Sequence, residues 1–119
     1  LRVGLRFVVG SGAAVTRELV DDVRDALRGT SPGLFCRWLA TEVQGETVRT
    51  CFLDRLEDLQ VPVLLLHGDR DRLVPLRDVQ AAALRIPRAE LVVLRGCGHW
   101  PPRERPVEVG QALRRFLGA

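Results

Sequence analysis

Val61-Pro62-Val63-Leu64-Leu65-Leu66-His67-Gly68-Asp69-Arg70-Asp71-Arg72-Leu73-Val74-Pro75 is the stretch whose reading decides the fold. It begins as a continuous apolar run that ends at His67-Gly68. A strand with one face in water alternates apolar and polar residues, whereas a strand covered on both faces does not. The run therefore predicts a buried strand of a parallel sheet. Downstream, Val79, Ala82, Ala83 and Ile86 recur at the i, i+3, i+4, i+7 spacing of an amphipathic helix, closed by Pro87. Leu91-Val92-Val93-Leu94 reads as a second buried strand. Pro106 suits the first turn of a last helix, with Val109, Leu113, Phe116 and Leu117 on its apolar stripe. Strand, helix, strand, helix is a βαβα unit, whose crossover should be right-handed. The fold class is α/β. Two parallel strands leave faces to cover and at least one edge open, so the unit predicts more sheet than it contains.

Residues 1–60 have a different character and read as helical. Thr16 is an N-cap candidate followed by Glu18, and Leu19, Val20, Val23 and Leu27 repeat at helical spacing until Gly29. Ser31-Pro32 opens a second helix with Leu34, Phe35, Trp38 and Leu39 on one face. A third, short helix is expected over Val48 to Leu59, with Phe52, Leu56 and Leu59 inward. Leu1 to Val9 fits either a strand or the tail of a helix. The domain division expected is thus 1–60 and 61–119.

Composition narrows the function classes. The chain has 119 residues, and 46% of them are hydrophobic, as in ordinary globular domains. No apolar run approaches the roughly 18 residues of a membrane span, and no signal-peptide pattern is visible. All 18 basic residues are Arg, giving a net charge of +3, and they alternate with acids, as in Asp69-Arg70-Asp71-Arg72 and Arg103-Glu104-Arg105. Such mixing marks salt-bridged surface rather than a phosphate-binding stripe, so no nucleic acid is expected as partner. Cys36, Cys51 and Cys97 are odd in number and lack ligand spacing, and the histidines are only His67 and His99. Reduced thiols, a cytoplasmic setting and no metal site follow. The sequence has no Met and opens on Leu1, which suggests a piece of a longer protein.

In a parallel sheet, chemistry gathers at the carboxyl ends of the strands. The two loops there are 67–75 and Arg95-Gly96-Cys97-Gly98-His99-Trp100-Pro101. They would place Asp71 near His99, where a carboxylate can fix the tautomer of an imidazole and stabilise its cation. The glycines beside His99 permit a tight loop that presents the ring. His67, ahead of the turn, reads as structural, and Asp69, two residues before Asp71, is the weaker candidate for the carboxylate. Cys97 reads as a small buried residue rather than a nucleophile. Trp100 and, on the second helix, Trp38 are candidate substrate contacts. Packing is an equal reading for Trp100, and helical-core packing with Phe35 is the plainer one for Trp38.

The same residues carry a family resemblance. Gly68-Asp69-Arg70-Asp71-Arg72-Leu73-Val74-Pro75 resembles the acid loop of α/β-hydrolases, Gly-x-x-Asp-x-x-Val-Pro. Gly96-Cys97-Gly98-His99-Trp100-Pro101 resembles their histidine loop, at the right separation and followed by a terminal helix. The resemblance is specific over Val61 to Ala119, and residues 1–60 are similar only in kind to the family's helical cap. It implies Asp71 as triad acid and His99 as base, acting on an ester-like bond of a small molecule without a cofactor. The family's nucleophile precedes both in a Gly-x-Ser-x-Gly elbow. No such motif is present; the serines are Ser11, between adjacent glycines in a turn-like stretch, and Ser31. The chain alone is therefore expected to be inactive, with the nucleophile and the oxyanion hole in a longer parent. An Asp nucleophile, as in dehalogenase- and epoxide-hydrolase-like members, and a non-catalytic ligand-binding relative remain open alternatives. Oligomeric state and substrate are not readable from these residues.

Overall fold

A computed structural model of the chain describes residues 1–29, 32–45 and 47–118. In chain order it contains α1 (Arg2–Val8), a 3-10 turn (Gly12–Ala14), α2 (Arg17–Gly29) and α3 (Pro32–Glu42). A short hairpin of β1 (Val43–Gln44) and β2 (Thr47–Val48) and a 3-10 helix (Leu53–Asp58) follow. Then come β3 (Val63–Gly68), α4 (Leu76–Arg85), β4 (Ala89–Leu94), α5 (Pro101–Glu104) and α6 (Pro106–Leu117).

β3 and β4 pair in parallel, in a register that runs from Val63 opposite Ala89 to Gly68 opposite Leu94. Both strands therefore end at the same rim. The apolar run starts its ladder at Val63, whose N–H donates to Arg88 O at 2.9 Å, so Pro62, with no N–H, stands just outside. The connecting α4 turns Ile86 fully inward, with Val79, Ala82 and Ala83 half-buried, the face that the 3.6-residue spacing predicts. Leu94, Cys97 and Val109 form a buried core with Leu66 and Val92 packed against it. On α6 the stripe is narrower than expected: Val109 and Ala112 are buried, Phe116 is half-buried, and Leu113 and Leu117 are exposed. The strands are half-buried along most of their length rather than covered, because two strands have too few neighbours to bury both faces.

The compact units are Leu1–Val15 with Arg55–Ala119, and Thr16–Asp54. The boundaries differ from the expected 1–60 and 61–119. Leu1–Val15 groups with the strand pair because its ambiguous first residues form α1, which buries Leu5, while Val9 beyond it is also buried. Its backbone is also hydrogen-bonded to the loops that follow β3 and β4: the Arg72 guanidinium donates to Arg6 O at 3.1 Å, and the His99 N–H to Val8 O at 2.6 Å.

In the other unit, Thr16 caps α2 as expected, its Oγ1 accepting the Leu19 N–H at 3.1 Å, and Leu19 and Val20 are buried. Ser31, read as opening the next helix, lies outside the described residues. Leu34, Phe35, Trp38 and Leu39 on α3 are exposed instead of forming a core, because a unit this short cannot cover two apolar stripes. Of the helix expected over Val48 to Leu59 only the 3-10 helix Leu53–Asp58 forms, and the first residue of that stretch, Val48, belongs to the hairpin. Gly45 takes φ +64° at the hairpin turn, and Val43, Thr47 and Val48 are β-branched, so the local chemistry favours strand.

Candidate active site

The rim at the ends of β3 and β4 is built by backbone that approaches backbone. β3 ends in Gly68, and a Cβ there would overlap Cys97 O and Gly98 O of the second loop. Gly98 in turn lies against Gly10 N, Val8 O and Val9 C. Three segments thus cross at Gly10, Gly68 and Gly98, each position free of a side chain. Further bonds stitch the two loops together. Asp69 Oδ1 accepts the Gly96 N–H at 2.6 Å, the Arg70 N–H donates to Cys97 O at 2.9 Å, and the Asp69 N–H donates to Leu94 O at 3.1 Å. Asp69, the weaker candidate for the acid, is one of these stitches.

Asp71 follows a turn in which its N–H donates to Gly68 O at 3.2 Å. Its Oδ1 accepts the N–H groups of Leu73 and Val74 at 2.8 and 3.0 Å, an Asx-type turn that aims the other oxygen across the rim. That oxygen, Oδ2, lies 2.8 Å from His99 Nδ1. The Asp71 side chain is 2% exposed and that of His99 37%. Burial pushes the Asp71 carboxyl up, but the Val74 N–H, the His99 ring and the Leu73 N–H together outweigh it and hold the pKa below the ordinary carboxylate value. An ionised carboxylate only accepts, so Nδ1 carries the proton. In the neutral ring the lone pair is then on Nε2.

The remaining candidates separate cleanly. His67 is buried, its Nε2 lying 3.0 Å from Val74 O and 3.8 Å from Asp71 Oδ2, so it braces the acid loop, in keeping with a structural role. Ser11 is the N-cap of the 3-10 turn, its Oγ accepting the Ala13 N–H at 3.3 Å. Cys97 is fully buried, and burial pushes its thiol up to about 11, with the negative charge of Glu104 adding to the effect. A thiol protonated at neutral pH is a poor nucleophile. Trp100 is half-buried at the start of α5, next to His99. Trp38 belongs to the Thr16–Asp54 unit, where it is 56% exposed with its ring centroid 5.9 Å from that of Phe35. Among the described residues no group of three His, Cys, Asp or Glu could hold a metal ion, and no helix is long and apolar enough to cross a membrane.

Two features were not legible in advance. Glu104 and Arg105 read as part of an alternating surface run, yet both bind backbone. Glu104 accepts the N–H groups of Gly10, Gly98 and Trp100, and the Arg105 guanidinium donates to Arg95 O and Gly96 O at 3.4 and 3.5 Å. The only local signal is their position just after a Pro-Pro helix start, close behind His99.

The chain is similar to known hydrolases. The chain is 34% identical over 108 residues to pimeloyl-[acyl-carrier protein] methyl ester esterase of Xanthomonas campestris pv. campestris, a match covering 91% of this chain and 42% of that protein. It is 38% identical over 64 residues to 2-hydroxy-6-oxononadienedioate/2-hydroxy-6-oxononatrienedioate hydrolase of Paraburkholderia phymatum, covering 54% of this chain and 22% of that one. The chain thus spans less than half the length of these curated relatives. A solved structure of a mutant of the meta-cleavage product hydrolase CumD superposes on 98% of this chain and 44% of its own, with a TM-score of 0.77 at 23% identity, a likeness of fold. The pattern of the alpha/beta hydrolase family matches residues 3–112, and the chain belongs to that family.

Proposed function

We propose that this chain carries the acid and the base of a nucleophile–His–Asp triad that hydrolyses an ester-like bond of a small molecule, with the nucleophile supplied by a longer protein. The observation that carries the reading is the 2.8 Å contact between a buried, acidified Asp71 and the Nδ1 of a partly exposed His99. The esterase name of one relative supports an ester-like substrate, and the hydrolase name of the other supports hydrolysis of a small molecule.

The chemistry follows from the tautomer. Nε2 of His99 accepts the proton of a serine hydroxyl as its oxygen attacks the substrate carbonyl. The imidazolium formed is stabilised by the Asp71 carboxylate, and its Nε2–H then protonates the departing alcohol. Water enters and gives a proton to Nε2 as its oxygen attacks the acyl group; the serine oxygen then leaves, taking that proton back from Nε2–H, and the acyl group departs as a carboxylic acid. Asp71 stays ionised throughout. Trp100, adjacent to His99, is assigned to the wall against which the substrate rests. The three cysteines are unpaired, in keeping with a reducing, cytoplasmic setting.

An organophosphonate probe, which phosphonylates activated serines, tests the reading. The full-length protein is expected to be labelled, and labelling is expected to vanish in His99→Ala. A full-length protein that turns over an ester yet is not labelled would exclude the serine mechanism.

A further inference from the structure

Glu104 ends α5, and its carboxylate reaches back to the loop that carries His99. Its Oε1 accepts the Gly98 N–H at 3.0 Å and the Trp100 N–H at 3.4 Å. These are the residues immediately before and after the histidine. Its Oε2 accepts the Gly10 N–H at 2.8 Å. The N–H of His99 itself donates to Val8 O at 2.6 Å, so the segment fastened by Oε2 also holds the histidine directly. Hydrogen bonds to an ionised acceptor are roughly twice as strong as neutral ones. The Asp69 and Arg70 stitches secure the loop at Gly96 and Cys97, ahead of the histidine. Glu104 secures the residues on either side of it.

We propose that Glu104 is a positioning residue for His99. It clamps residues 98 and 100 and the Val8–Gly10 segment to one carboxylate, which fixes the ring so that Nδ1 meets Asp71 and Nε2 faces the reacting bond. This role rests on the triad reading given above. It also needs both oxygens to accept. A glutamine of the same size offers one acceptor and one donor group. Whichever way its amide turns, an NH2 meets a backbone N–H, either that of Gly10 or that of Gly98.

Glu104→Gln in the full-length protein is the test, assayed beside His99→Ala. Misplacing a catalytic group by about 1 Å can cost on the order of 100-fold in rate. The kcat of Glu104→Gln is expected to fall about 10- to 100-fold with KM within about twofold of wild type, since Glu104 touches no substrate. Turnover abolished by His99→Ala but undiminished in Glu104→Gln would overturn the positioning role and leave the triad standing. A loss expressed in KM alone would overturn it too. Turnover that survives His99→Ala would instead remove the triad, and with it the role of Glu104. Amide hydrogen exchange in the wild-type protein decides the matter even if Glu104→Gln does not fold. Slow exchange at Gly10, Gly98 and Trp100 is expected, and exchange there at the rate of an open amide would show that the clamp does not exist.

Discussion

Asp71→Asn in the full-length protein is expected to lower kcat by about 10^4-fold while leaving the fold in place. The reason lies in how the carboxylate divides its two oxygens. Oδ1 accepts two backbone N–H groups, from Leu73 and Val74, so an asparagine must keep its carbonyl there. Its NH2 then takes the place of Oδ2 and points at His99 Nδ1. A donor at that position forces the ring into the Nε2–H tautomer, which has no lone pair to offer the nucleophile. The loss is therefore larger than the removal of one hydrogen bond, which is worth about 1.5–3 kcal/mol to a charged group. His99→Ala removes the base outright and is expected to cost at least as much. Steady-state kinetics with an activated ester, beside thermal unfolding of each variant, checks both. An Asp71→Asn enzyme within tenfold of wild type would show that Asp71 does not set the tautomer.

The largest stability effect is expected at Gly98. A Cβ there would meet Gly10 N, Val8 O and Val9 C, all main-chain atoms that cannot swing aside as a flexible side chain can. Overpacking a core by a methyl group costs about 1–3 kcal/mol when side chains can adjust. Gly98→Ala is expected to reach or exceed the top of that range, about 3 kcal/mol, lowering Tm by on the order of 10–20 °C. Gly4 provides the control. It lies within α1 and a Cβ there has nothing within 4 Å, so Gly4→Ala should be neutral or stabilise by up to about 1 kcal/mol through helix propensity. Thermal unfolding followed by circular dichroism separates the two. Equal midpoints for Gly98→Ala and wild type would mean that the three backbones do not cross as described.

How far these features could be read beforehand depended on whether their cause was local. The strands β3 and β4 are continuous apolar runs, and α4 is a 3.6-residue repeat, so each declares itself within a few residues. Asp71 and His99 follow once both strands end at one rim, because the loops are then neighbours. The hairpin at residues 43–48 was not legible because strands of two residues are too short to show a period, and the helix expected from Val48 overlaps it only at its last residue. The attachment of Leu1–Val15 to the strand pair was not legible, since it rests on bonds across more than 60 residues, such as Arg72 to Arg6 and Gly10 to Glu104. Glu104 was hidden for the same reason. In sequence it is one acid between two arginines, and what distinguishes it is backbone from a distant segment. The exposure of Phe35 and Trp38 is likewise a matter of how much chain is present to cover them, which periodicity does not report.

The central claim is that Asp71 holds His99 as the Nδ1–H tautomer, with Nε2 open as the base. Long-range 15N–1H correlation NMR of the histidine rings measures this directly, in this chain, with no substrate or nucleophile needed. At a pH where the ring is neutral, the proton of His99 should reside on Nδ1, and in Asp71→Asn it should move to Nε2. A wild-type His99 that already carries its proton on Nε2 would contradict the assignment of Asp71 and His99 as acid and base.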